Sequence, residues 1–147
     1  MHAEFFSVSS KTLHQLQVFQ NNNKQMINVG TTSVRVLETI SRQNFQDSSG
    51  WTDIFIYPPC KFSMTDGLLT NFHLPKSTLM MLVSAFCGRE FLLSSYQHAV
   101  AEKYRFFSYG DCMLILWFLS YKLDEPVKSR KTMSYRAKRE ILFKLLH

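Results

Sequence analysis

Leu79, Met80, Met81, Leu82, Val83, Ala85 and Phe86 make a helix that is apolar on nearly every side. A helix without a polar face must be enclosed, so the rest of the chain has to be arranged around this segment. The residues in front of it are of the opposite character. Asp66-Gly67 is a turn pair, Pro75 suits the first turn of a helix, and Ser77 and Thr78 can accept bonds from free backbone amides. Polar groups therefore collect at the N-terminus of the buried helix, where unpaired N–H groups and a partial positive charge favour an anion or developing negative charge.

Strand and helix signals alternate through the remainder. Glu4 to Val8 reads as a strand, and Ser9 or Ser10 can cap a helix carrying Leu13, Leu16 and Phe19. Met26 to Val29 is a second strand, which Gly30-Thr31-Thr32-Ser33 turns into a helix with Val34, Leu37 and Ile40 on one face. After a polar loop near Gln46 to Gly50, Ile54 to Tyr57 supplies a strand closed by Pro58-Pro59. Beyond the apolar helix, Gly88 is a break. Arg89 opens an amphipathic helix with Leu92, Leu93, Tyr96, Ala99 and Val100 inward. Arg105 to Ser108 and Met113 to Leu116 read as two further strands around Tyr109-Gly110-Asp111. The pattern predicts an α/β fold, a layered domain with a mixed or mainly parallel sheet flanked by helices.

Charge divides the chain in two. Residues 1 to 115 hold nine basic against eight acidic side chains, whereas residues 116 to 147 hold eight against three. The division predicts an α/β portion over 1–115 and a divergent basic tail over 116–147, partly helical, with Met133, Ala137, Ile141 and Leu145 on one stripe. A basic segment can attract RNA phosphates or simply be solvated. Cys60, Cys87 and Cys112 are odd in number and widely spaced, which reads as reduced thiols of a cytoplasmic protein. No stretch reaches the ~18 apolar residues of a membrane span, so a soluble protein is expected. His14, His98 and His147 lack partners at metal-ligand spacing, and no metal site is expected.

Two segments offer chemistry. Gly30-Thr31-Thr32-Ser33 presents amides and hydroxyls at a strand-to-helix turn, with Arg35 nearby as a fork-shaped donor. The competing reading has Thr31 or Thr32 merely capping the helix and Arg35 facing water. His73 titrates near neutral pH, and its neighbours Asn71, Lys76, Ser77 and Thr78 can orient a ligand; the competing reading is a hydrogen-bonded structural histidine. Lys76-Ser77-Thr78 is not a P-loop, since the glycine-rich run is missing.

Four motifs, Met1-His2-Ala3-Glu4, Val29 to Arg35, Asp66 to Leu79 and Tyr104 to Asp111, occur in the order expected of the S-adenosylmethionine:tRNA ribosyltransferase-isomerases, the QueA family of queuosine synthesis. The chain resembles that family from Met1 to about Leu114, and resembles only its C-terminal part: it is incomplete relative to full-length members, and an N-terminal portion is expected to be missing. The resemblance implies transfer and isomerisation of the ribosyl unit of S-adenosylmethionine onto the 7-aminomethyl-7-deazaguanine of tRNA, giving epoxyqueuosine, adenine and methionine. S-adenosylmethionine is then a consumed substrate, and no other cofactor is implied. Catalytic roles would fall to His73, Asp111 and Lys76. Substrate binding would fall to Gly30, Thr31, Thr32, Ser33, Arg35, Asn71, Ser77, Thr78 and Tyr109, with His2 and Glu4 in support. The rival expectation is a non-catalytic remnant or a basic tRNA-binding module. The family reading requires the His73 loop and the Gly30 turn to meet at neighbouring helix starts, facing a shared cavity.

Overall fold

The structure, a computed structural model, describes residues 2–107 and 111–116, together with the backbone of 140–145. The elements follow in the order β1 (Glu4–Ser7), α1 (Ser10–Asn21), β2 (Ile27–Val29), α2 (Thr31–Arg42), β3 (Ser49–Thr52), β4 (Gly67–Asn71), α3 (Thr78–Cys87), α4 (Arg89–Ala101), β5 (Asp111–Leu116) and β6 (Glu140–Leu145). β1 and β3 form an antiparallel ribbon. The remaining strands form a four-stranded sheet in the order β2-β4-β5-β6, parallel between β2 and β4 and antiparallel elsewhere. The mixed α/β architecture is therefore the one that the alternating pattern predicts.

The helices begin where local chemistry says they should. Ser9 caps α1 by accepting from the Thr12 amide at 3.1 Å, and Ser77 caps α3 by accepting from Met80 at 3.2 Å. Gly88, at φ 85°, separates α3 from α4 in a conformation that a side chain would strain. One sheet face presents Leu68, Met113 and Ile115, each at most 1% exposed, to Leu82, Val83, Phe86, Leu92 and Ala99 of α3 and α4. The apolar helix is thus covered on one side only: Leu82, Val83, Phe86 and Cys87 are buried, whereas Leu79, Met80 and Ala85 are half-buried and Met81 is exposed, short of the enclosure expected on every side. Among the described residues no single helix is long and apolar enough to cross a membrane.

Several expected elements differ. Ile54 to Tyr57 is not a strand, although Ile56 is buried; the strand lies earlier, at β3, because β1 supplies a hydrogen-bonding partner for Ser49–Thr52 and, among the described residues, no strand pairs with Ile54–Tyr57. Arg105 to Phe107 is irregular, with Phe107 at φ 63°, while Ser108 lies outside the described residues. β4, at the centre of the sheet, lies inside the segment read from sequence as a turn and a site. Val100, expected inward, is exposed. Over Glu140–Leu145 a strand paired with β5 replaces the expected helix, because the ladder of β5 gives the backbone groups that face it partners. The rest of that helix lies outside the described residues.

Candidate active site

β2 and β4 run in the same direction, so the turns leaving them emerge at one end of the sheet. The Gly30 N–H donates to the Leu69 carbonyl at 2.8 Å and fixes the two turns side by side. β5 runs the opposite way and pairs Cys112 with Asn71, which sets Asp111 at the same end. The glycine turn, the histidine loop and Asp111 are far apart in sequence, and sheet register alone brings them together.

Each corner has a different local construction. Gly30 sits at φ 84° and caps α2 without any side-chain bond, so neither threonine serves as the cap that the simpler reading expected. The first-turn amides of α2 are left available to an acceptor, with Thr31 buried and Thr32 and Ser33 exposed. At α3 the Ser77 hydroxyl is the cap, Thr78 opens the helix, and Lys76 is exposed at φ 60°.

His73 follows Phe72, whose fully buried ring anchors the loop against Tyr96, Tyr104 and Phe106 at centroid distances of 5.4, 5.9 and 5.0 Å. The His73 Nε2 lies 2.9 Å from Thr70 Oγ1, and its backbone N–H donates to the Tyr96 hydroxyl at 2.8 Å. Half-buried among these groups, the imidazole is held below its ordinary pKa by loss of solvent, which favours the neutral ring near pH 7. Burial likewise pushes the Tyr96 phenol up, opposed by the bond from the His73 amide. Thr70 and Tyr96 are thus the immediate partners of His73. Sequence reading placed Tyr96 in the core but gave no sign of this contact, and it passed over Thr70.

Asn71 donates to the Phe107 carbonyl, and the Phe107 N–H returns a bond to Phe72 at 3.1 Å, stitching the segment before β5 to the end of β4. Asp111 is 2% exposed. It accepts from the Arg105 amide and Nε and pairs with Arg105 Nη2 at 3.2 Å, so the carboxylate shapes this segment as well as bordering the site. Tyr109 lies outside the described residues.

Arg35 stands apart from the other candidates. It is 2% exposed and faces neither water nor an open cleft. Its guanidinium donates to the carbonyls of His2, Thr52 and Ile54 at 3.0, 3.1 and 3.3 Å and lies 3.0 Å from Glu4 Oε2. One turn further along α2, Glu38 accepts from the Ser63 and Met64 amides and the Thr65 hydroxyl at 2.9–3.1 Å. Nothing in sequence pattern marks Glu38, because its partners lie some 25 residues away. A depression of about 390 Å³, lined by Thr39, Arg42, Gln43, Asp53, Ile54 and Phe55, lies at the opposite end of α2 from the glycine turn. It is a different place from the cavity expected between the two turns.

Comparison with known proteins gives the family of the chain. The model of a family described as queuosine biosynthesis protein matches residues 1–115. The S-adenosylmethionine:tRNA ribosyltransferase-isomerase of Sulfurihydrogenibium sp. is 56% identical over 116 residues, which are 79% of this chain and 34% of that protein. The protein of the same name from Clostridium kluyveri is 56% identical over 117 residues, 78% of this chain and 34% of its own length. A crystal structure of S-adenosylmethionine tRNA ribosyltransferase from Thermotoga maritima superposes with a TM-score of 0.68 at 46% identity, covering 75% of this chain and 40% of that one. The chain spans about a third of the length of the curated relatives it matches. On the match over residues 1–115 and these identities, the chain belongs to the queuosine biosynthesis protein family.

Proposed function

We propose that this sheet end is part of the active site of an S-adenosylmethionine:tRNA ribosyltransferase-isomerase, which moves and isomerises the ribosyl unit of S-adenosylmethionine onto the 7-aminomethyl-7-deazaguanine base of tRNA. The observation that carries the reading is the bond from Gly30 to Leu69, which sets the uncapped start of α2 beside the His73 loop. The free amides of the Gly30–Ser33 turn, with the Thr32 and Ser33 hydroxyls, suit a carboxylate or ribose oxygen of S-adenosylmethionine. A neutral His73 suits proton transfer: with Nε2 tied to Thr70, Nδ1 would serve the reactants as donor or acceptor. Lys76, Asn71 and Thr78 border the same space. Asp111 orders its rim, and Tyr109 is assigned to the site from its motif alone. Arg35 has its donors occupied by backbone, so it acts on the site by holding β1 and β3 against α2. The remaining length of a full relative would complete the cleft, in the cytoplasm where tRNA is modified.

A hybrid tests this reading. Residues 1–115 replace the matched third of the Clostridium kluyveri relative, and adenine release from S-adenosylmethionine is followed with tRNA carrying the aminomethyl-deazaguanine base. The hybrid should turn over, and His73→Ala within it should lower the rate about 100-fold or more. Unchanged turnover in that variant would remove the imidazole from the chemistry. A well-folded hybrid that binds no S-adenosylmethionine would remove the site.

A further inference from the structure

Thr70 is a polar residue on an apolar sheet face. Side chains alternate along β4, so Thr70 points to the same side as Leu68, and the register sets it opposite Met113 of β5. Both of those neighbours are fully buried. At 4% exposure the threonine is itself cut off from solvent, in a layer where a valine has the same shape, suits a strand equally and needs no partner. Packing alone gives no reason for a hydroxyl here. Among the described residues that hydroxyl has one hydrogen-bond partner, the His73 Nε2 at 2.9 Å. The backbone N–H of His73 is held by the Tyr96 hydroxyl of α4 at 2.8 Å, so a strand and a helix grip this residue at two points.

Burial keeps the ring neutral near pH 7, so it carries a single N–H on one of its two nitrogens. The two arrangements differ in cost. With the proton on Nε2, the ring donates to the threonine oxygen and leaves the buried O–H without an acceptor among the described residues. With the proton on Nδ1, the O–H donates to the bare Nε2 and no group is stranded. We propose that Thr70 is a positioning residue that fixes His73 as the tautomer protonated on Nδ1, so that the imidazole meets the reactants as a hydrogen-bond donor and not as a base. The inference rests on the reading that His73 serves the ribosyl transfer, and it narrows the role given to Nδ1 there. The N–H bonds a lone pair of the reactants on which negative charge develops, and the proton stays on the ring.

The test is nitrogen magnetic resonance of the full chain carrying isotope-labelled histidine, at about pH 8, where imidazoles are neutral. Among the five histidines, the His73 ring is the one whose signals vanish in His73→Gln. Its Nδ1 should resonate as a protonated, pyrrole-type nitrogen and its Nε2 as a bare, pyridine-type one. Thr70→Val should move these two shifts toward each other or exchange them, whereas Thr70→Ser, which keeps the hydroxyl, should leave them in place. In the hybrid, Thr70→Val should slow adenine release at least about 10-fold without lowering the melting temperature, and Thr70→Ser should restore most of the rate. A parent His73 protonated on Nε2, or a tautomer indifferent to Thr70→Val, overturns the proposal. So does a Thr70→Val hybrid whose shifts move while its turnover equals the parent's, or a serine that rescues neither readout. Normal turnover in His73→Ala, with the tautomer still set by Thr70, would sink the catalytic reading and leave the tautomer assignment standing.

Discussion

The middle of α2 and the loop after β4 both lie in motifs rich in polar residues, yet they use those residues in opposite ways. On α2, Arg35 and Glu38 are at most 2% exposed, and each is satisfied mainly by backbone groups from segments distant in sequence. Around His73, the side chains of Asn71, His73, Lys76, Ser77 and Thr78 are half-buried or exposed, and their bonds are few: Asn71 to the Phe107 carbonyl, His73 to Thr70 and Ser77 to the Met80 amide. The first group works as struts and the second remains available to a ligand. Membership of a motif does not separate these roles; saturation of hydrogen-bonding capacity does.

Glu38→Ala should strike this division hardest. It strands the amides of Ser63 and Met64 and the Thr65 hydroxyl, and should cost about 3 kcal/mol or more in urea unfolding. A melt within 2 °C of the parent would mean that water replaces the carboxylate and that α2 is no strut. Arg35→Ala should cost somewhat less, about 2–3 kcal/mol, because carbonyls tolerate a lost partner better than buried amides do. Arg35→Lys should not restore it, since a point charge cannot reach three carbonyls and Glu4 together. If Arg35→Ala instead left stability intact and abolished S-adenosylmethionine binding, the contrast between the two regions would collapse.

The histidine loop answers to pH. His73 binds its proton less readily folded than unfolded, so the unfolded state takes up more protons as pH falls through about 6.5. Its contribution is therefore constant above that value and turns destabilising below it. His73→Gln should flatten the acid side of a Tm-against-pH curve; a curve that keeps its full slope would place the titrating group elsewhere. The smallest effect on stability belongs to Ser33→Ala, within about 0.5 kcal/mol, because the hydroxyl is exposed and caps nothing. Its expected effect is on S-adenosylmethionine affinity, read by calorimetry in the hybrid, and equal affinity would confine binding to the backbone amides.

Sequence by itself determined what is local. Ser9 and Ser77 cap helices because a hydroxyl can reach an amide three residues on, Gly88 breaks a helix because only glycine rests easily at its φ, and α3 turns Leu82, Val83 and Phe86 into the core because water rejects them. Tertiary structure alone decided what depends on a distant partner. β3 rather than Ile54–Tyr57 became a strand because β1 lay beside it, and Glu140–Leu145 left its helical periodicity for the ladder of β5. Arg35 became a strut when carbonyls of three segments closed on it, while His73, Gly30 and Asp111 became neighbours through strand register. A side chain's type fixes which bonds it is able to make, and the fold fixes which of those are already taken.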